Sequence, residues 1–385
     1  MLTEATRTII AETAPVIAGR METITTSFYA ALFADHPGLL DGMFSRTNHA
    51  TGQQAAVLAA SIVAFATAAS TSEEAPAHLV TRIAHRHASL GVTPEQYQVV
   101  YEYLFRAIAT DLGDAATSEV VAAWSEVYWL FADVLIAAER RLYGAQANDS
   151  HWTPWTVSEK IVTTSTVTEF IFVPADGTPV TPAVAGNYVS LRVTAPDGSS
   201  QARAFTLLRP GTGRSIAVKR DPDGDVTPVL HDVIEVGDVI ELSNPYGAVV
   251  LDDDRSPLVL ISAGIGCTPT VSYLEALVAT ADPRTVLVLH ADRSREDFAF
   301  ADRIASLVDR LPDARMQTWF ADDVAAPRLE LDHVALPEHA TLSICGPLGF
   351  MQVLRDTARS LGIPEGRLRY EIFGPDVWLA TGRQR

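Results

Sequence analysis

The sequence predicts a multidomain chain: an all-α domain, then an antiparallel β-barrel, then an α/β domain built on a parallel sheet. Three changes of texture carry this. Residues 1–147 hold few helix breakers and repeat apolar residues at helical spacing. Residues 148–255 turn to short alternating runs divided by Pro-Asp-Gly and Gly-Asp turns. Residues 256–385 alternate short apolar runs with helical stretches, as parallel strands joined by crossover helices do. The 385 residues, at roughly 150 per domain, agree with two or three domains.

Composition is that of a globular protein able to bury full cores: 48% hydrophobic, 8% aromatic and 20% charged. Lys plus Arg number 29 against 47 Asp plus Glu, a net charge of −18. Such a chain lacks the basic footprint that neutralises phosphates, so no nucleic-acid partner is expected, and anionic membrane surfaces are disfavoured too. The two cysteines, Cys267 and Cys345, are too few and too far apart for a disulfide framework or a thiolate zinc site. The first residues lack the order of a signal peptide, and the uncharged stretch Thr47–Ser72 is too rich in Ala, Thr and Ser to span a bilayer. A cytoplasmic protein without stable membrane association is expected.

In the first segment, Thr93-Pro94-Glu95-Gln96 is a capping box that opens a helix. Tyr128, Phe131, Ala132, Leu135, Glu139 and Leu142 recur at helical spacing, one carboxylate in an apolar stripe. His87 lies on a helix side with Val80, Ile83, Ala84 and Leu90. A histidine there is usually a satisfied core residue. Here, however, Phe28-Tyr29 and the stretch Pro37 to Phe44 precede Gln54 and Leu58, which share a face at i, i+4. About thirty residues separate Gln54 from His87, enough for one helix, a turn and a facing helix to sandwich a flat cofactor. Ala145–Ser150 is the candidate hinge.

The second segment supplies strands at Val189–Val193 and Val239–Leu242 and ends near Asp254. Arg203-Ala204-Phe205-Thr206 sets a cation, an aromatic face and a hydroxyl on consecutive residues, a set that suits a flavin; an ordinary alternating strand is the alternative. Gly224-Asp225-Val226-Thr227-Pro228 is a glycine-plus-hydroxyl turn opening a helix, suited to a diphosphate. The third segment has strands at Leu258–Ser262, Val286–His290 and Leu342–Cys345. Gly264-Ile265-Gly266-Cys267-Thr268-Pro269 follows the first of these and precedes a helix, which lets the backbone approach a pyrophosphate. Cys345-Gly346-Pro347 closes a later strand at the carboxyl edge, where ligands bind such sheets. Near the end, Tyr370-Glu371-Ile372-Phe373-Gly374-Pro375 places an aromatic beside a carboxylate.

Residues 152–375 resemble the ferredoxin reductase module: a flavin barrel with an Arg-x-aromatic-Ser/Thr motif, a Gly-x-Gly-x-Thr-Pro turn and a Cys-Gly-Pro segment, in the same order. Residues 1–143 resemble a globin, and globin followed by this reductase is the flavohaemoglobin arrangement. The resemblance implies a globin haem domain at 1–147, an FAD-binding barrel at 148–255 and an NAD(P)H-binding domain at 256–385. It implies that His87 ligates haem b iron, that Phe44 wedges the haem and Arg86 borders it, and that Tyr29, Gln54 and Leu58 meet bound dioxygen. Tyr97 and Glu139 match the pair that hydrogen-bonds the histidine; its retention is the mark of the nitric-oxide-detoxifying members. FAD binding falls to Tyr188, Arg203, Ala204, Phe205, Thr206, Gly224, Thr227, Glu371, Ile372, Phe373, Gly374 and Pro375. Nucleotide binding falls to Gly264 through Pro269 and to Cys345, Gly346 and Pro347. Two departures stand out: Phe205 where tyrosine is usual, which removes one flavin hydrogen bond, and Cys267 where glutamine is frequent.

The implied activity is a nitric oxide dioxygenase in which NADH or NADPH reduces FAD, FAD reduces haem, and NO and O2 become nitrate. A more basic histidine pushes charge toward bound oxygen, and Tyr29 supports that charge by a hydrogen bond. A monomer with no obligatory protein partner is expected. One rival is a haem-based oxygen or redox sensor, disfavoured because no output domain follows the reductase. Another is an alkyl hydroperoxide or dye reductase using the same electron chain. Arg293-Ser294-Arg295 would hold a 2′-phosphate, favouring NADPH, or is a solvated turn.

Overall fold

The computed structural model describes residues 2–40, 53–71, 77–195, 198–323 and 328–374. Residues 1–151 fall in one compact unit and residues 203–373 in another. The first is helical: α1 (Glu4–Asp35), α2 (Pro37–Leu40), α3 (Gln53–Thr71), α4 (Ala77–Leu90), α5 (Pro94–Leu112) and α6 (Ser118–Gly144). Threonines begin three of these. Thr3 Oγ1 accepts from the Thr6 N–H at 3.1 Å, Thr117 caps α6, and Thr93 with Gln96 forms the expected capping box of α5. Each satisfies donors that the first helical turn leaves without partners. Pro15 lies inside α1, which continues through it.

The heptad-spaced Ile10, Ile17 and Ile24 of α1 enter a core with Phe65 of α3, Leu104 and Ile108 of α5, and Trp124, Val127 and Phe131 of α6. Burying each such side chain contributes about 1.5–3 kcal/mol. Among the described residues α6, rather than Thr47–Ser72, is the helix long and apolar enough to cross a membrane. Its apolar stripe is accounted for by this core, which takes Trp124, Val127, Tyr128, Phe131 and Leu135.

The antiparallel sheet contains β1 (Trp152–Val162), β2 (Val167–Pro174), β3 (Tyr188–Thr194), β4 (Ser200–Thr206), β5 (Arg214–Lys219) and β6 (Val239–Ser243), in the order β4-β3-β6-β1-β2-β5. A bridge from Leu207, just after β4, to Ile216 of β5 joins the two edges, as a barrel requires. The short helix α7 (Thr227–Asp232) follows β5.

The parallel sheet holds β7 (Leu258–Ala263), β8 (Val286–Asp292), β9 (Ala314–Phe320), β10 (Thr341–Cys345) and β11 (Leu368–Glu371), ordered β11-β10-β7-β8-β9. Its helices are α8 (Cys267–Ala279), α9 (Ala301–Asp309) and α10 (Leu348–Ser360). Chain order reverses between β7 and β10, so the crevice beyond their carboxyl ends lies at the switch point where such sheets bind ligands. The Gly264 turn and the Cys345-Gly346-Pro347 segment both stand there. The barrel and this sheet share a core, in which Val167, Ala185, Leu208 and Ala217 pack with Leu260, Val271, Leu274 and Val288.

Candidate functional site

Three helices converge on one imidazole. His87 is in the last turn of α4, Tyr97 in the first turn of α5 and Glu139 near the end of α6. His87 Nδ1 lies 2.8 Å from Glu139 Oε1 and 2.9 Å from Tyr97 Oη, and the Tyr97 hydroxyl donates to the same Oε1 at 2.5 Å. Glu139 is 2% exposed, so its place in the apolar stripe of α6 is a buried one. A buried carboxylate needs donors, and here it has two. A carboxylate oxygen accepts, so Nδ1 is the donor of this pair, and in the neutral tautomer that fits it Nε2 is the ring nitrogen with the lone pair. Among the described residues no hydrogen bond engages Nε2. This is the donor set a metal-ligating histidine presents. Burial, then the charge of Glu139, raises the Tyr97 phenol far above its ordinary range, which keeps it a donor. Tyr128 fixes the start of α5 by donating to the Tyr97 carbonyl at 2.6 Å.

Tyr29 is 4% exposed on α1, stacked against Phe33 at 5.4 Å, and burial raises its phenol well above the usual value. Leu58 is half-buried on α3, and Arg86 half-buried on α4 beside His87. Gln54 falls in α3, but its side chain lies outside the described residues, as do Phe44 and Pro375.

In the barrel, β4 carries Arg203, Ala204, Phe205 and Thr206. The Arg203 guanidinium stands 3.7 Å from Asp225, so the structure brings the basic strand and the Gly224–Thr227 turn together. The Thr227 hydroxyl is committed within its own loop: it accepts from the Asp221 N–H at 2.8 Å and donates to the Asp221 carbonyl at 3.2 Å. That differs from the expectation of a hydroxyl offered to a diphosphate. Tyr188 opens β3 in a backbone bridge to Tyr246. Glu371 ends β11, with Ile372 half-buried and Phe373 and Gly374 exposed beyond it.

At the switch point, Gly264 has φ +55°, a left-handed conformation that disfavours a side chain. Gly266 is required for another reason than approach to a pyrophosphate. A Cβ there would stand 2.4 Å from the Cys345 carbonyl oxygen, so the two loops touch backbone to backbone. Cys267 and Cys345 are buried, and Thr268 Oγ1 donates to the Ile265 carbonyl at 3.1 Å. These side chains build the turn from below, with Pro269 buried beside them. Pro347 is exposed and Gly346 half-buried.

Comparison with known proteins places the chain. Residues 26–135 match the globin family and residues 260–356 the oxidoreductase NAD-binding domain. A flavohemoprotein of Rhizobium meliloti is 37% identical over 98% of this chain and 100% of its own length. The chain belongs to the flavohaemoglobin family. A flavohaemoglobin crystal structure from Malassezia yamatoensis, with bound FAD and haem, superposes with a TM-score of 0.94 at 40% identity, covering 97% of this chain and 100% of that one. The FAD/NAD-binding domain of a Vibrio cholerae nitric oxide dioxygenase covers 58% of this chain and 99% of its own, at 34% identity and a TM-score of 0.54.

In this flavohaemoglobin the structure adds groups around the nucleotide turn that the motif reading passed over. His290 is fully buried, with Nδ1 2.9 Å from Ser262 Oγ, Nε2 3.4 Å from Asp292 Oδ2, and its ring stacked 3.7 Å from Phe298. Burial opposes ionisation of Asp292, but hydrogen bonds from His290 and the Arg293 N–H outweigh it and hold the carboxyl below its ordinary range. The one signal in the sequence was polar residues ending an otherwise apolar strand. Arg293 is exposed and paired with Asp297 at 2.9 Å, while Arg295 lies 4.9 Å over the Phe320 ring. Both arginines therefore stand past the carboxyl end of β8, and the Asp292 carboxylate is turned to His290 instead.

Proposed function

We propose that this flavohaemoglobin is a nitric oxide dioxygenase, holding haem b on His87, FAD at the barrel and NADH or NADPH at the Gly264 turn. The observation that carries the reading is the shared hydrogen bonding of His87, Tyr97 and Glu139. When bound, the haem and flavin supply dioxygen binding and the conversion of a hydride into single electrons. The balance is two NO and two O2 with one NAD(P)H, giving two nitrates, NAD(P)+ and a proton. Glu139 and Tyr97 hold the proton at Nδ1 and make Nε2 a stronger donor. Tyr29, kept protonated by burial, donates a hydrogen bond where negative charge develops. Arg203 attracts the flavin phosphates, and the Gly264 turn receives the nucleotide with main-chain N–H groups. The reading needs no protein partner, because all three modules lie in one chain.

The test is NO consumption by the purified protein with NAD(P)H under air. Nitrate formed in equal amount to NO consumed is expected, at a rate far above NAD(P)H oxidation without NO. NO that leaves turnover unchanged, while an alkyl hydroperoxide accelerates it, would favour a peroxide reductase.

A further inference from the structure

His87 is gripped by α6 at two points. Its ring donates from Nδ1 to Glu139, and its main chain is tied through the turn that ends α4. That turn is a paired C-cap: the Gly91 N–H reaches the Ala88 carbonyl and the Val92 N–H reaches the carbonyl of His87 itself, both at 3.2 Å. Gly91 takes the left-handed φ of +76° that such a cap uses. The Val92 carbonyl in turn accepts the Tyr143 hydroxyl at 2.8 Å. Tyr143 follows Glu139 by four residues, so the two lie one turn apart on the same face of α6. His151, where the chain leaves the bundle, packs edge-on to Tyr143 at 4.7 Å. Its Cβ would meet a side chain at Gly91 at 3.1 Å.

We infer that Tyr143 is a positioning residue for His87, with His151 packed behind it. The inference rests on His87 ligating haem iron and is independent of which gases react there. A ring is placed by its rotation and by the main chain that carries it. Glu139 and Tyr97 set the rotation and the tautomer. They leave the last turn of α4 free to fray, as helix ends do, which would carry the imidazole with it. The Tyr143 hydroxyl closes that freedom by holding Val92, whose amide holds the His87 carbonyl.

The experiment uses the full chain loaded with haem, comparing the parent with Tyr143→Phe and, as a control, Tyr101→Phe. The control loses a bundle hydrogen bond, Tyr101 to Ser125 at 2.9 Å, that touches neither His87 nor the turn after it, and keeps the ring that packs on Tyr128. In Tyr143→Phe the iron–histidine stretching band in resonance Raman is expected to shift and broaden. Haem transfer to apomyoglobin should accelerate about fivefold, the effect of one hydrogen bond. Amide exchange at Val92 should also rise in the haem-free chain. His151→Ala should move the band less, in the same direction, and Tyr101→Phe should leave it in place. A parent band that Tyr143→Phe leaves unmoved, or that Tyr101→Phe moves equally, overturns the inference alone. A parent without such a band overturns the ligand reading and this inference with it.

Discussion

Glu139 Oε1 accepts from His87 Nδ1 at 2.8 Å and from Tyr97 Oη at 2.5 Å. One buried oxygen thus serves two donors carried by helices whose residues are 52 and 42 positions away in sequence. Tyr97 polarises the carboxylate while the carboxylate orients the imidazole, so neither residue acts on His87 independently of the other. Substitutions at the two sites are therefore expected to be non-additive.

Glu139→Ala leaves the buried Tyr97 hydroxyl and the half-buried His87 Nδ1 without their shared acceptor, at a cost of about 1–3 kcal/mol in stability. The iron–histidine stretch should fall in frequency and NO turnover should slow, with flavin reduction by NAD(P)H unchanged. Glu139→Gln keeps an acceptor but removes the charge, so it should lower the frequency with less loss of stability. An unchanged stretch in both variants would show that the carboxylate does not tune the iron.

Tyr29→Phe removes one hydroxyl from a buried, stacked ring. Haem content and dye reduction should stay as in the parent, while dioxygen leaves the ferrous protein faster, by about tenfold for each 1.4 kcal/mol lost. Stopped-flow oxygen release checks this. An unchanged rate would mean that another residue holds the oxygen.

Arg293 and Arg295 stand past β8 with the Asp292 carboxylate engaged by His290, an arrangement suited to a 2′-phosphate rather than a ribose hydroxyl. The Arg293–Asp297 pair is exposed and worth little, so a phosphate displaces it readily. NADPH should be preferred, and replacing both arginines should cost on the order of 1.5–3 kcal/mol per lost contact for NADPH and little for NADH. Steady-state KM values for both coenzymes decide it; an NADH preference untouched by the double substitution would leave the arginines as surface residues.

Burial, with Asp292 adding to it, pushes the Cys267 thiol up to about 12, and burial raises Cys345 too. A folded pKa above the unfolded one means that ionisation favours the unfolded chain. The stabilisation is complete below the ordinary thiol value and is lost progressively as pH rises from there toward about 12. Iodoacetamide at pH 8 should modify neither cysteine in the native protein and both in denaturant. Rapid native labelling of Cys267 would show that the turn above it opens.

Much of the fold was legible because burial leaves a period. The stripe from Tyr128 to Leu142 states which face of a helix is covered, and the short apolar runs of β7, β8 and β10 state that both faces of a strand are. His87 and Glu139 could be singled out by the same logic, each a polar residue on an apolar stripe, and their pairing came from resemblance to a known family.

The tertiary structure decided what each covered face meets. Nothing in local spacing tells that Tyr97, Glu139 and His87 converge within 3 Å, because that distance is set by how α4, α5 and α6 pack. Nor does spacing separate the two glycines of the nucleotide turn: Gly264 is needed for its own backbone angle, Gly266 because the backbone at Cys345, 79 residues on, presses against it. The sequence by itself determined the three textures, the helix and strand faces and the residue types available for chemistry, all consequences of short-range sterics and solvent exclusion. Which of those residues touch is a property of long-range packing, where the partner of each side chain is supplied by an element that its own neighbours in sequence do not specify.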